Sequence, residues 1–189
     1  MNNKSFKTIE TFCKNNSKEI LDIIIFGSTI RGKKTPKDLD IIILYRNKED
    51  EELSYKLKKI LEKENVTTDI TSKTYKGLFD NNFIAKEAIL KEGYSIINKE
   101  LLCKKLNYSS YILFKYNLNK LSKSKKISFY YSLYGRNGNK GMISKKGLIK
   151  FSESTILCPI DKSEETKEYL TQQKIEYTET PILIPTRMY

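Results

Sequence analysis

The sequence predicts an α/β protein (α+β) made of two parts, each a small sheet with helices packed on it. Two observations support this prediction. Short, almost continuous apolar runs alternate with segments whose apolar residues recur every three or four positions, as in buried strands connected by helices. The charge pattern also changes after Glu100, because the next acidic residue is Glu153. We therefore expect a first domain over residues 1–98 and a second over residues 99–189.

The first part is expected to form a short mixed sheet flanked by helices. Helical spacing of apolar residues predicts a helix over about residues 5–18. The run ILDIIIF predicts a buried strand, and a short helix is expected to follow it from Gly27 to Arg31. The run LDIIILY and the segments VTTDITS and YSIIN predict three further strands, with a helix before each of the last two.

The second part is expected to have the element order β-α-β-β-α-β, which is the split βαβ arrangement of ferredoxin-like domains. YSSYILFKYNL has the composition of a strand, SKSKKISFYYSLYG predicts a helix, RNGNKG predicts a loop, and GMISKKGLIKF predicts a hairpin. STILCPI predicts a strand, KSEETKEYLTQQ a helix with acids near its start, and KIEYTETPILIP the last strand.

Composition excludes several classes of protein. Three widely spaced cysteines give neither a disulfide framework nor a zinc cluster. No apolar run approaches the length of a membrane span, and the first residues lack the apolar core of a signal peptide. We expect a cytoplasmic protein without a membrane partner.

The net charge of +12 is concentrated in one segment. Twelve basic residues lie between Glu100 and Glu153, and the remaining 23 basic residues equal the 23 acidic residues in number. A lysine-rich composition is typical of AT-rich coding sequence. That bias would not explain why the segment between Glu100 and Glu153 contains no acidic residue. The second part is therefore expected to attract a polyanion.

Two aspartates, Asp38 and Asp40, stand at the start of an apolar strand. Because side chains alternate along a strand, both carboxylates should share one face while Leu39 enters the core. Carboxylates this close repel each other unless a cation lies between them, and hard oxygen ligands suit Mg²⁺ or Mn²⁺. Asp69, in a β-branched segment that could pair beside this strand, is the candidate third carboxylate for a site with two metal ions.

The Gly-Ser pair before these aspartates is a candidate phosphate site. Gly27 would let a ligand approach the backbone, and Ser28 would lie at the start of the short helix, where N–H groups are free. Arg31, one turn later, could bind the same phosphates through two hydrogen bonds.

These motifs together resemble a known family. FGSTIRG followed by KDLDIIIL resembles the G-S-x-x-R-G and [DE]-h-[DE]-h signature of the DNA polymerase β-like nucleotidyltransferase superfamily, particularly its minimal members, over residues 1–98. The resemblance implies that Gly27 and Ser28 hold a nucleoside triphosphate. It also implies that Asp38 and Asp40 bind two Mg²⁺ or Mn²⁺ ions and that Asp69 completes the site and helps activate the attacking hydroxyl.

The implied reaction transfers a nucleoside monophosphate from an NTP, with ATP or CTP expected, to a hydroxyl and releases pyrophosphate. The chain departs from the pattern at Lys37, where minimal members often carry serine. This lysine is either a further phosphate ligand or a solvated cation.

The acid-free segment indicates a nucleic-acid acceptor, with RNA expected before DNA, whose 3′-hydroxyl would receive the nucleotide. Basic residues there alternate with aromatic residues, which offer phosphate contacts and stacking surfaces, although most of the aromatics at helical spacing are expected in the core. The candidate nucleic-acid-binding residues are Lys123, Lys125, Lys126, Arg136, Lys140, Lys145 and Lys146.

Three alternatives stay open at the level of sequence. The chain could adenylylate a protein, as antitoxin-type minimal nucleotidyltransferases do, or it could be a non-catalytic nucleic-acid-binding module. Transfer to a cationic antibiotic fits least, because such a substrate requires an acidic pocket.

Overall fold

The protein is described by a computed structural model over residues 3–188, which divides into two compact units between Tyr108 and Ser109. This division lies ten residues beyond the expected boundary at residue 98. The reason is that a strand at Glu100–Leu101 pairs with the strand Tyr94–Ser95, which ties the intervening segment to the first unit.

The first unit is a five-stranded sheet with helices. In chain order its elements are α1 (Asn3–Asn15), β1 (Ile20–Phe26), a 3₁₀ turn (Gly27–Thr29), β2 (Leu39–Tyr45), α2 (Glu51–Lys63), β3 (Thr68–Thr74), α3 (Tyr75–Leu78), α4 (Lys86–Glu92), β4 (Tyr94–Ser95), β5 (Glu100–Leu101) and α5 (Leu102–Lys105). The strand order is β3-β2-β1-β4-β5. Strands β2 and β3 are parallel and the other pairs are antiparallel, so the predicted mixed sheet is confirmed.

Both faces of this sheet are covered by helices, which explains why β1 and β2 are continuous apolar runs. One face carries Ile23, Ile25, Ile41 and Ile43, packed with Ile9 of α1 and Leu57 of α2. The opposite face carries Ile24 and Ile42, packed with Ile89 of α4. Because side chains alternate, Asp40 lies on the face that α4 covers.

The second unit is a four-stranded sheet with two main helices. Its elements are β6 (Tyr108–Asn117), α6 (Lys123–Tyr134), β7 (Gly135–Arg136), β8 (Asn139–Lys140), α7 (Met142–Lys146), β9 (Ile149–Ser152), β10 (Thr155–Pro159), a 3₁₀ turn (Ile160–Lys162), α8 (Ser163–Gln172), β11 (Glu176–Pro185) and a 3₁₀ turn (Thr186–Met188). The sheet order is β11-β6-β10-β9, and β10 is antiparallel to both of its neighbours. Apart from the inserted β7, β8 and α7, the order is β-α-β-β-α-β, as predicted.

The insertion differs from the sequence-based expectation in two places. The expected loop at residues 136–141 is a tight hairpin, because Asn137 and Gly138 both have positive φ (51° and 82°), as a type I′ turn requires. The expected hairpin at residues 141–151 is instead the short helix α7 followed by β9. Gly147, in the left-handed conformation, ends that helix.

Two further features of the described residues are the burial of the cysteines and the length of the helices. Cys13, Cys103 and Cys158 are buried, and no disulfide bond joins them within residues 3–188. No helix within residues 3–188 has both the length and the apolar character needed to cross a membrane.

Candidate active site

The strand register brings two of the predicted carboxylates side by side. Asp40 pairs with Asp69 across the parallel strands β2 and β3, so both side chains project from the same face of the sheet. Asp40 also pairs with Phe26, the last residue of β1, which places it beside the turn that follows β1. Asp38 lies just before β2 and is exposed, as is Asp69, whereas Asp40 is half-buried.

The electrostatics of Asp40 reflect this crowding. Burial raises the pKa of its carboxyl group, the charges of Asp38 and Asp69 raise it further, and the guanidinium of Arg31 opposes them. A cation between the carboxylates would relieve their repulsion, and hard oxygen donors are the ligands that Mg²⁺ and Mn²⁺ prefer. The donor set therefore fits such a metal, although no three His, Cys, Asp or Glu side chains of residues 3–188 stand close enough to hold one ion together.

Gly27 fits against the Asp40 carboxylate. Its φ is +76°, and a β-carbon at this position would lie 1.9 Å from Oδ2 of Asp40. The expected short helix is only a 3₁₀ turn, in which the N–H groups of Ile30 and Arg31 donate to the carbonyl oxygen of Gly27 (3.1 and 3.2 Å). The expected helix start at Ser28 is therefore a single 3₁₀ turn, and so few aligned peptide units add up to only a small dipole for attracting phosphate.

Sequence reasoning missed one residue of this site, Glu92. Its buried carboxylate accepts hydrogen bonds from Nη1 of Arg31 (2.8 and 3.0 Å) and from the backbone N–H of Gly27 (3.2 Å). It therefore connects the two ends of the turn at residues 27–31. The signal in the sequence was its spacing, because a position three residues after the core residue Ile89 lies on the buried face of α4.

Lys37 is exposed, and together with Asp38 it lines a cleft of about 440 Å³. Thr29 and Glu64 form part of the same cleft. Oγ1 of Thr29 and Oε2 of Glu64 are buried without a hydrogen-bond partner among the described residues. Buried polar atoms are normally paired, so this cleft has the character of a ligand site. Its lining includes Asp38 but neither Asp40 nor Asp69.

The predicted nucleic-acid-binding residues lie on four elements of the second unit. The first turn of α6 carries Lys123, Lys125 and Lys126, the hairpin β7–β8 carries Arg136 and Lys140, and the end of α7 carries Lys145 and Lys146. Among the described residues, two of these seven side chains make an ion pair or a ring contact. The guanidinium of Arg136 lies over the ring of Tyr131 (4.5 Å), and Lys146 forms an ion pair with Glu165 (2.6 Å).

Comparison with known proteins gives two findings. A family model described as polymerase beta, nucleotidyltransferase matches residues 7–102, just over half of the chain. Among solved structures, the chain is similar to the crystal structure of a mutant of the toxin–antitoxin MntA–HpeT, with 15% sequence identity and a TM-score of 0.39, over 48% of this chain and 70% of that chain. No curated protein matches the sequence.

Proposed function

Because the chain belongs to the polymerase beta nucleotidyltransferase family, we propose that it transfers a nucleoside monophosphate from an NTP to the 3′-hydroxyl of RNA or DNA. The acceptor oxygen attacks the α-phosphorus, the bond to the bridging oxygen breaks, and pyrophosphate leaves. ATP or CTP is the proposed donor, and RNA is the first acceptor to test. The family generally uses divalent metal ions.

One observation carries the proposal: Asp40 and Asp69 are paired on neighbouring strands, beside a turn shaped by Gly27. Asp38, Asp40 and Asp69 would share the ligands of two Mg²⁺ or Mn²⁺ ions, and the ions would supply charge stabilisation to the attacking and leaving oxygens. Asp69, whose carboxylate is exposed, would accept the proton of the attacking hydroxyl.

The remaining residues of the site would bind and orient the triphosphate. Gly27 lets the phosphates approach the backbone, and the Ser28 hydroxyl and the cations Arg31 and Lys37 contact them. Glu92 would fix Arg31 in position through their hydrogen bonds, so that less freedom is lost when the nucleotide binds.

The choice of a nucleic-acid acceptor rests on the second unit. The seven candidate basic residues there belong to a segment without acidic residues, and five of them make no ion pair or ring contact among the described residues. Unpaired cations on a surface attract a polyanion from a distance and release counterions when it binds.

The test is label transfer from α-labelled NTPs and dNTPs, with Mg²⁺, to a mixture of RNA, single-stranded DNA and cell protein. We expect nuclease-sensitive label with the wild-type chain, loss of transfer in Asp38→Asn with Asp40→Asn, and unchanged transfer in Asp161→Asn, which alters an exposed aspartate of the second unit. Label that survives nuclease but not protease would show that the acceptor is a protein and not a nucleic acid. Full transfer by the double variant would refute the assignment of the carboxylates.

A further inference from the structure

The second unit contains a cleft of about 700 Å³ at the end of its sheet where β6 finishes and β11 begins. The wall is formed by the end of β6, two residues of α6, the β9–β10 turn and the start of β11. The lining residues include Lys115, Asn117, Lys126, Tyr130, Glu153 and Tyr177. The volume lies in the range typical of sites for small organic ligands. We infer that this cleft binds unpaired nucleotides of the acceptor strand, an inference that rests on the proposed function for its biological purpose.

Tyr130 supplies a stacking surface in this cleft. Its side chain is 39% exposed, although its ring is held in place by Tyr134 (centroids 6.0 Å apart, planes 20° apart) and by Phe129 (centroids 6.0 Å apart). An exposed aromatic ring that is already held in place loses little conformational entropy when a base stacks on it. Such stacking is the usual way in which proteins bind unpaired bases.

The cations of the cleft are available for phosphates. Lys115 and Lys126 make no ion pair within residues 3–188, whereas the carboxylate of Glu176, also in the wall, is paired with Lys120. Glu153, the other carboxylate of the wall, has no ion pair in the part of the chain that the structure describes, and a carboxylate can accept a hydrogen bond from a base amino group.

The lysines at the start of α6 support the same conclusion. Lys123, Lys125 and Lys126 occupy the first turn, which contains no acidic residue. This arrangement is unfavourable for the helix itself, because positive charge destabilises a helix N-terminus. A local rule broken without a structural gain is expected at a functional surface.

The Tyr130 ring, the lysines and the Asn117 amide together favour one class of polyanion, a nucleic-acid single strand, as the ligand of this cleft. In a duplex the base faces are stacked on one another, so they cannot reach Tyr130. An acidic peptide would satisfy the lysines but would not use the ring of Tyr130 or the side chain of Asn117. A single strand uses all of these groups, and an unpaired 3′ end is what a nucleotide-adding enzyme requires.

The experiment measures binding apart from transfer. The full chain is titrated into labelled single-stranded RNA, single-stranded DNA and a duplex of the same sequence, with EDTA and without NTP, and fluorescence anisotropy reports the dissociation constant. We expect the single strands to bind more tightly than the duplex. Tyr130→Ala should weaken single-strand binding at least about fivefold, the factor that corresponds to the lower limit for one stacked base.

Matched variants keep the test decisive if Tyr130→Ala disturbs folding. Tyr130→Phe, which retains the ring, should bind like wild type, and Lys126→Ala should weaken binding and reduce its dependence on salt. Tyr55→Ala and Lys58→Ala make the same changes at exposed positions of the first unit and should leave binding unchanged.

Equal binding by wild type, Tyr130→Ala and Lys126→Ala would overturn the inference, as would a preference for the duplex. The two proposals can fail separately. If strand binding depends on Tyr130 but no NTP supports transfer, the cleft is a strand-binding site and the proposed function is refuted. If transfer to an oligonucleotide occurs and neither substitution changes it, the proposed function stands and the cleft is not the site that binds the acceptor strand.

Discussion

At Gly27, two separate restrictions exclude any side chain. The φ of +76° is one that other residues adopt at a cost of about 1–2 kcal/mol, and the position of a β-carbon is already filled by Oδ2 of Asp40. Gly27→Ala should therefore lower the free energy of unfolding and also displace Asp40, with a loss of transfer larger than the loss of folded protein. Urea unfolding and the label-transfer assay measure the two effects.

Gly147→Ala is the matched control for this substitution. Gly147 has a φ of +65° with no atom within 4 Å of its would-be β-carbon, so alanine there adds backbone strain alone. We expect the free energy of unfolding to fall by about 1 kcal/mol and the rate of nucleotide transfer to stay unchanged. If Gly27→Ala behaves like this control in both measurements, the close fit against Asp40 has no role in the reaction.

At the scale of elements, the contact between α4 and the turn at residues 27–31 depends on Glu92. Glu92→Gln keeps the shape but removes the charge that Arg31 binds, and we expect the free energy of unfolding to fall by about 1–2 kcal/mol. This loss is moderate because the Arg31 side chain is 30% exposed, so water can hydrate the guanidinium when the carboxylate is removed. The KM for NTP should rise more than kcat falls, since the turn would no longer be held ready for the phosphates.

A double-mutant cycle tests whether the two residues act as a pair. Arg31→Gln and Glu92→Gln should together cost less stability than the sum of the single losses, because each removes the same interaction. Glu87→Gln, on an exposed position of the same helix, should change stability by less than about 0.5 kcal/mol. Strictly additive losses for Arg31 and Glu92 would show that their hydrogen bonds contribute nothing in solution.

At the scale of the whole molecule, stability should depend on pH through Asp22. This carboxylate is buried in β1 and accepts hydrogen bonds from Ser95 Oγ (2.5 Å) and the Ile23 N–H (2.8 Å), but burial outweighs them and raises its pKa above the ordinary 3.8. The folded state therefore holds this proton more tightly than the unfolded state. Stability from this group is present at low pH and is lost as pH rises from about 3.8 through the folded-state pKa.

Asp22→Asn removes this titration and tests its sign. Relative to wild type, the variant should gain stability as pH rises above about 4, when urea unfolding is followed across a series of pH values. A difference in unfolding free energy that stays constant with pH would contradict the assignment.

Much of the architecture follows from local pattern. The apolar runs of β1 and β2 predicted buried strands, and the alternation of side chains predicted that Asp40 would point away from the core residue Leu39. The expected pairing of the Asp69 segment beside β2 is also present. These features depend on periods of two and of three to four residues, which a single sequence displays directly.

The remaining features depend on contacts between distant residues or on competing local signals. The bond between Glu92 and Gly27 joins positions 65 residues apart, and no local pattern specifies it. The segment after Gly135 contains both an Asn-Gly turn and a short helix ended by glycine, and the residues alone did not show where one ended and the other began. The turn at Gly27 is shorter than the expected helix because Gly32, also with positive φ, follows within one turn.

The buried thiols have a practical consequence. Burial raises the pKa of Cys13 to about 11 and that of Cys158 to about 12, and Cys103 is 1% exposed. Alkylating reagents attack the thiolate, so all three native cysteines should react slowly at neutral pH. A cysteine introduced at an exposed position, such as Ser124 on α6, would then take up a maleimide dye selectively, and the natural cysteines could stay in place.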